Sequence, residues 1–169
     1  GLSFREYLSM KKIQHYAAVS LEQLLFEPAL ISSLLNDGFK PLRYFQDYLQ
    51  HGYYPFGVQE PEWLYQRINQ VVRTIVEIDM AELPSFTYRN AKKLLQLVEV
   101  IAGQVPFKPN IKTLAEKTQI HRNDITSFLH FLAEAKIISM VEPAGVSTSS
   151  LQKPEKIYLQ NTSLLYALA

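Results

Sequence analysis

The chain has 169 residues, 47% of them hydrophobic and 20% charged, and a net charge of +1. This suits one packed domain or two small ones, and bulk charge nominates no partner. The absence of cysteine excludes disulfides and thiolate-bound zinc and fits a reducing compartment. No apolar run approaches the ~18 residues needed to span a bilayer and no signal peptide is visible, so the expectation is a cytoplasmic protein with no membrane partner.

Taken in chain order, the first half reads as helical. Ser3 and Glu6 form an S-x-x-E capping box, with Leu2 and Tyr7 at the positions of a hydrophobic staple. Ser20 and Gln23 suggest a second box at "SLEQLLFEPALISSLLNDG", where Pro28 breaks the run and Asn36 to Gly38 end it. Pro41 stands where a helix would begin, and "PLRYFQDYLQHG" carries Leu42, Phe45, Tyr48 and Leu49 on one face. Gly52 is expected to end that helix, and "GYYPFG" to turn. From Pro61 a long helix is expected, with Trp63, Leu64, Ile68, Val71, Val72, Ile75 and Ile78 at a 3.6-residue period and Pro84 closing it.

The second half changes character. "YRNAKKLLQLVEVIAG" is an amphipathic helix ending at Gly103, followed by the loop "QVPFKPN". "TLAEKTQIHRNDITSFLHFLAEAKII" then reads as two short helices joined by a tight turn, with Ile120 plugging the turn and Ile125, Phe128, Leu129 and Leu132 facing inward. "IISMVE" and "EKIYLQ" read as strands flanking the polar loop "PAGVSTSSLQKP". The expected fold is therefore mainly α: a helical region over 1–87, then a winged helix-turn-helix with a small β-hairpin wing and a C-terminal helix start over 88–169.

A winged helix can lie on duplex DNA or dock a protein. For DNA, the residues left to solvent on the second helix of the motif are Arg122, Asn123, Thr126, Ser127 and His130. Arg can read guanine, Asn can read adenine, and Ser or Thr can reach phosphates. Lys112, Lys153 and Lys156, with Lys108 and Lys117, could neutralise three to five phosphates, which predicts weak, salt-sensitive binding. Against this, Asp124 sets a negative charge in the first turn, and His121 stands where Ser or Thr usually caps. Residues 91–169 carry nine Lys plus Arg and six Asp plus Glu, a net of +3, against −2 for residues 1–90. That is a mild basic bias for a DNA reader. Glu77, Asp79 and Glu82 read as a salt bridge or cap rather than an acid–base pair. The four histidines show no metal-ligand spacing, so no metal site is expected. Tyr44, Phe45, Tyr48, Tyr53, Tyr54, Trp63 and Tyr65 read as core rather than as a stacking platform.

Five stretches occur in one order: "LSFREYL", "YFQDYLQHGYYP", "INQVVRTIVEIDM", the paired helices, and "KIYLQNTSLLYAL". Together they resemble the C-terminal portion of a family of prokaryotic AAA-type ATPases, over nearly the whole chain. In that family a P-loop core precedes a helical segment and a winged-helix-like domain. The family's Gly-Gly-aromatic-Pro turn is matched here only at Gly52 and Pro55, with Tyr53 replacing a glycine. The resemblance implies a fragment of a longer protein, whose ATP and magnesium belong to an upstream core. The chain itself has no G-x-x-x-x-G-K-[ST]: after Gly52 and Gly57, Val58 and Gln59 hold the Lys and Ser/Thr places. It is thus expected to be non-catalytic, with no catalytic residue and no cofactor of its own. Arg5, following the segment where such cores end, could sense a γ-phosphate; the alternative is a solvated first-turn residue or one paired with a nearby carboxylate. Two other functions stay open: a protein-interaction or self-association module coupling ATPase state to a partner, and a free-standing transcription regulator.

Overall fold

The computed structural model describes residues 1–35, 38–78, 86, 88–141 and 154–169. They are mainly helical, with a two-stranded antiparallel sheet. Several expectations lie outside the described residues: the ends at Asn36 and Pro84, the carboxylates Asp79 and Glu82, most of the polar loop, and Lys153. Two compact units are present, Gly1–Glu62 and Trp63–Ala169. The boundary read from sequence, between 87 and 88, falls inside the second.

In the first unit, α1 (Phe4–Met10) opens on the expected capping box, with Ser3 accepting from the Glu6 N–H and Glu6 accepting from the Ser3 N–H. Helix α2 (Leu21–Phe26) has the second box, from Ser20 and Gln23, and α3 (Pro28–Leu35) follows directly. Both boxes satisfy donors that the helix leaves open, a local effect readable from four residues. Gly38 has φ +78°, the left-handed region where glycine is favoured. Helix α4 (Leu42–Asp47) runs into a π-helical turn, Tyr48–Gly52, so the helical run ends at Gly52 as expected. The expected turn "GYYPFG" is confined to Tyr53 and Tyr54, because α5 (Pro55–Gln59) starts at Pro55, the first helical position, which suits proline. Packing also requires glycine here: a Cβ on Gly52 would meet Tyr48 Cδ2 at 2.3 Å and Tyr7 Cδ2 at 2.8 Å. Gly52 thus ends the helical run and admits two aromatic rings.

The second unit is built on α6 (Leu64–Glu77), α7 (Tyr88–Ala102) and α10 (Thr162–Leu168). Helix α6 buries Leu64, Ile68, Val72 and Val76, a narrower stripe than the sequence suggested, leaving Trp63, Val71 and Ile78 more than half exposed. Helix α7 contributes Leu94, Leu97, Val98 and Ile101 to the core. Asn161 caps α10 by accepting from the Leu164 N–H at 2.9 Å, and the Asn69 side chain donates to the Ala167 carbonyl at 3.1 Å. Against α7 pack α8 (Ile111–Thr118) and, beyond it, α9 (Arg122–Glu134). Strands β1 (Ile138–Val141) and β2 (Lys156–Leu159) pair antiparallel, with Ile138 opposite Leu159 and Val141 opposite Lys156. Phe107, between α7 and α8, bridges to Ile157 and extends the sheet by one residue.

Candidate nucleic-acid interface

The α8–α9 corner is held from several sides. Asn110 caps α8, accepting from the Lys112 and Thr113 N–H groups at 3.1 and 3.4 Å. Thr118, fully buried, returns its hydroxyl to the Leu114 carbonyl at 2.7 Å. Gln119 then takes a left-handed conformation, φ 54° and ψ 29°, which ends the helix. Its carbonyl accepts from Lys93 of α7, and Ile120 plugs the turn. His121 caps α9 in place of a hydroxyl residue, Nδ1 accepting from the Asn123 N–H at 3.4 Å. That bond is long, so Asp124 in the first turn supplies further support through the helix dipole.

Helix α9 buries Ile125, Phe128, Leu129 and Leu132, all four expected from sequence. Of the residues expected to face nucleic acid, Arg122 and Asn123 are exposed, whereas Thr126, Ser127 and His130 are half-buried. His130 Nε2 is shielded from solvent and has no hydrogen-bond partner among the described residues. Lys112 is exposed and lies 3.9 Å from Glu116 Oε1. Together Lys112, Glu116, His121, Arg122 and Asn123, with the apolar Ile111, Ala115 and Ile120, line an open groove of about 710 Å³. Lys156 is exposed on β2, and Lys108 and Lys117 are exposed as well. The groove therefore offers two cations, an amide and an imidazole to an anionic partner, with one carboxylate opposing them.

The first unit holds a polar network that sequence reading missed. Asp47 accepts from the buried Tyr7 hydroxyl, from Lys11 Nζ at 2.8 Å, and pairs with His51 Nδ1 at 2.8 Å. Partial burial alone would raise the Asp47 carboxyl, but the hydrogen bonds from Lys11, Tyr7 and His51 outweigh it and hold it well below the usual carboxylate range. The Tyr7 hydroxyl is pushed up to about 12, by burial first and then by the Asp47 carboxylate. The signal was the proximity of "FREYL" and "YFQDYLQHG", which only the fold supplies. Tyr48 also donates to the Leu2 carbonyl at 2.9 Å, and the Leu2 N–H donates to the Tyr53 carbonyl at 2.7 Å.

Arg5 is exposed and lies on the wall of a separate apolar cleft of about 610 Å³ in this unit. None of the seven aromatics expected in the core is fully buried: Phe45 and Trp63 are exposed, and the rest are half-buried. Phe4, Tyr7, Phe45 and Tyr48 do form a ring cluster with centroids 5.2–6.2 Å apart. Glu77 lies 3.8 Å from Arg73. Among the described residues no group of three His, Cys, Asp or Glu could hold a metal ion, and no helix is long and apolar enough to cross a membrane.

Residues 42–169 match the family described as a domain of unknown function, DUF8612. The chain belongs to that family. One relative, the uncharacterized protein MJ1637 of Methanocaldococcus jannaschii, is 24% identical over 167 residues, covering 92% of this chain and 34% of the relative. The chain thus spans about a third of that relative's length. No solved structure matches.

Proposed function

We propose that the chain is the non-catalytic C-terminal part of an AAA-type ATPase, and that α8, α9 and the β1–β2 hairpin act as a winged helix that binds duplex DNA weakly. The observation that carries the nucleic-acid reading is the exposed first turn of α9, where Arg122 and Asn123 stand beside Lys112 on an open groove. Arg and Asn are the side chains suited to bidentate contact with guanine and adenine. The sequence of helix, bridging residue, two helices and hairpin, with Phe107 joined to Ile157, is the order that a winged helix requires. Few cations are available, so affinity rests on a small number of phosphates and falls as salt rises. The test is fluorescence anisotropy with a labelled duplex across a salt series. Weak binding at low salt with a steep salt slope is expected; no binding at low salt overturns the reading.

The ATPase reading rests on the ordered resemblance and on a relative of about three times this length. It leaves this chain without nucleotide chemistry, since it carries no Walker A motif. A second reading, docking of a protein, is favoured by α2, whose Leu21, Leu24, Leu25 and Phe26 are all exposed.

A further inference from the structure

A helix leaves its last carbonyls without partners on its own backbone. At the end of α8, two donors come from α7, which packs against it. Gln96 Nε2 donates to the Lys117 carbonyl at 3.1 Å, and Lys93 Nζ donates to the Gln119 carbonyl. Helical spacing puts Lys93 and Gln96 on one side of α7. The carbonyl held by Lys93 belongs to the residue at which the chain turns. Gln119 has φ 54°, a left-handed conformation that residues other than glycine rarely adopt. Thr118 and Ile120 on either side of it are buried, so the turn is pinned at both flanks. After Ile120 come the cap His121 and then Arg122, the first residue of α9. The orientation of the 119–120 peptide therefore sets the direction in which α9 leaves the turn. Lys93 is half-buried, and neither it nor Gln96 lines the groove.

We propose, resting on the nucleic-acid reading of the groove, that Lys93 is a positioning residue for the α8–α9 corner. Its ammonium holds the Gln119 carbonyl and so sets where α9 carries Arg122 and Asn123, without itself touching the duplex. Lysine suits this place because it brings donors on a long stem, and its charge offsets the partial negative charge at the end of α8. A bidentate contact from Arg or Asn needs two donors or acceptors to meet fixed atoms of a base edge. A small swing of the first turn of α9 is enough to break it. Attraction to the phosphates depends instead on how many charges are neutralised. Loss of the Lys93 donor should therefore weaken binding through Arg122 and Asn123 and leave the number of neutralised phosphates unchanged. A lysine that contacted a phosphate would behave differently, because its loss lowers that number by one.

The experiment is fluorescence anisotropy of a labelled duplex with the whole chain across a salt series, for the wild type, Lys93→Met, Lys93→Arg and Lys112→Met. Lys93→Met removes both donor and charge while keeping an unbranched apolar stem. It should raise Kd roughly tenfold, the loss of one well-aligned base contact, with the salt slope of the wild type and an unchanged circular dichroism spectrum. Lys93→Arg, which keeps a donor and the charge, should restore most of the affinity. Lys112→Met, in the groove, should lower the salt slope by about one and serves as the phosphate reference. Should Lys93→Met fail to fold, lysine footprinting of the wild type decides: bound duplex should shield Lys112 from acetylation and leave Lys93 as reactive as before. The role of Lys93 is overturned, with the DNA reading left standing, by a Lys93→Met that binds like the wild type, by one whose salt slope falls by about one, or by a Lys93 that the duplex shields. A wild type that binds no duplex at low salt overturns the DNA reading and this role together.

Discussion

Asp47 shows what a single residue decides here. Three donors converge on its carboxylate, from α1, from the residue following α1, and from the π-helical turn. A carboxyl held below its unfolded value of ~3.9 contributes stability that is present above that pH and lost as the pH falls toward the folded value. Tyr7 works with the opposite sign. Its hydroxyl is pushed up to about 12, so its contribution is present below the unfolded ~10 and lost as pH rises toward 12. The first unit should therefore be most stable between about 4 and about 10, and Asp47→Asn should flatten the acid limb of a thermal-melting series against pH. Because the Asp47 side chain is 42% exposed, the effect is expected to be modest. Gly52→Ala should cost about 1–3 kcal/mol by overpacking against Tyr7 and Tyr48, measurable by urea unfolding; a neutral result would mean that the two rings move aside. At the groove, Arg122→Glu with Lys156→Glu should nearly abolish duplex binding and leave the melting temperature unchanged, since both side chains are exposed. Binding that survives the double reversal would sink the DNA reading.

At the scale of elements, α9 separates surface from core within 13 residues. Phe128 is 8% exposed and meets Phe86 edge-on with centroids 6.1 Å apart. Phe128→Ala should destabilise the second unit by roughly 3–5 kcal/mol, a loss that denaturant unfolding would read directly, whereas the Arg122 reversal should not. What was legible in sequence at this scale was whatever local chemistry decides. Both capping boxes and the buried stripe of α9 follow from residues within a turn of each other. The close approach of two rings at Gly52 was not legible, because one of them belongs to Tyr7, 45 residues upstream. Nor was the exposure of Leu42 and Val71: an apolar period marks the side a helix could bury, and the neighbours present decide how much of it is covered.

For the molecule as a whole, the proposed reading predicts that calorimetry finds no ATP binding by this chain at micromolar affinity and that no hydrolysis occurs. Tight binding would refute its account as the non-catalytic part of an ATPase. The groove residues were legible in part: Arg122, Asn123 and Lys112 sit at positions that helical periodicity assigns to solvent. Thr126, Ser127 and His130 share that periodicity, but neighbouring packing half-covers them. By itself the sequence determined the capped starts of α1 and α2, the order of elements from α7 to β2, the hydrophobic set of α9 and the lack of a phosphate-cradling loop in this chain, because each depends on residues close together. Only the tertiary structure decided that Tyr7, Lys11 and His51 converge on Asp47, that Arg5 faces an apolar cleft, and that the leucines of α2 remain in water. Those outcomes depend on which distant surfaces meet, and long-range contacts are set by the competition of all apolar faces for a limited core.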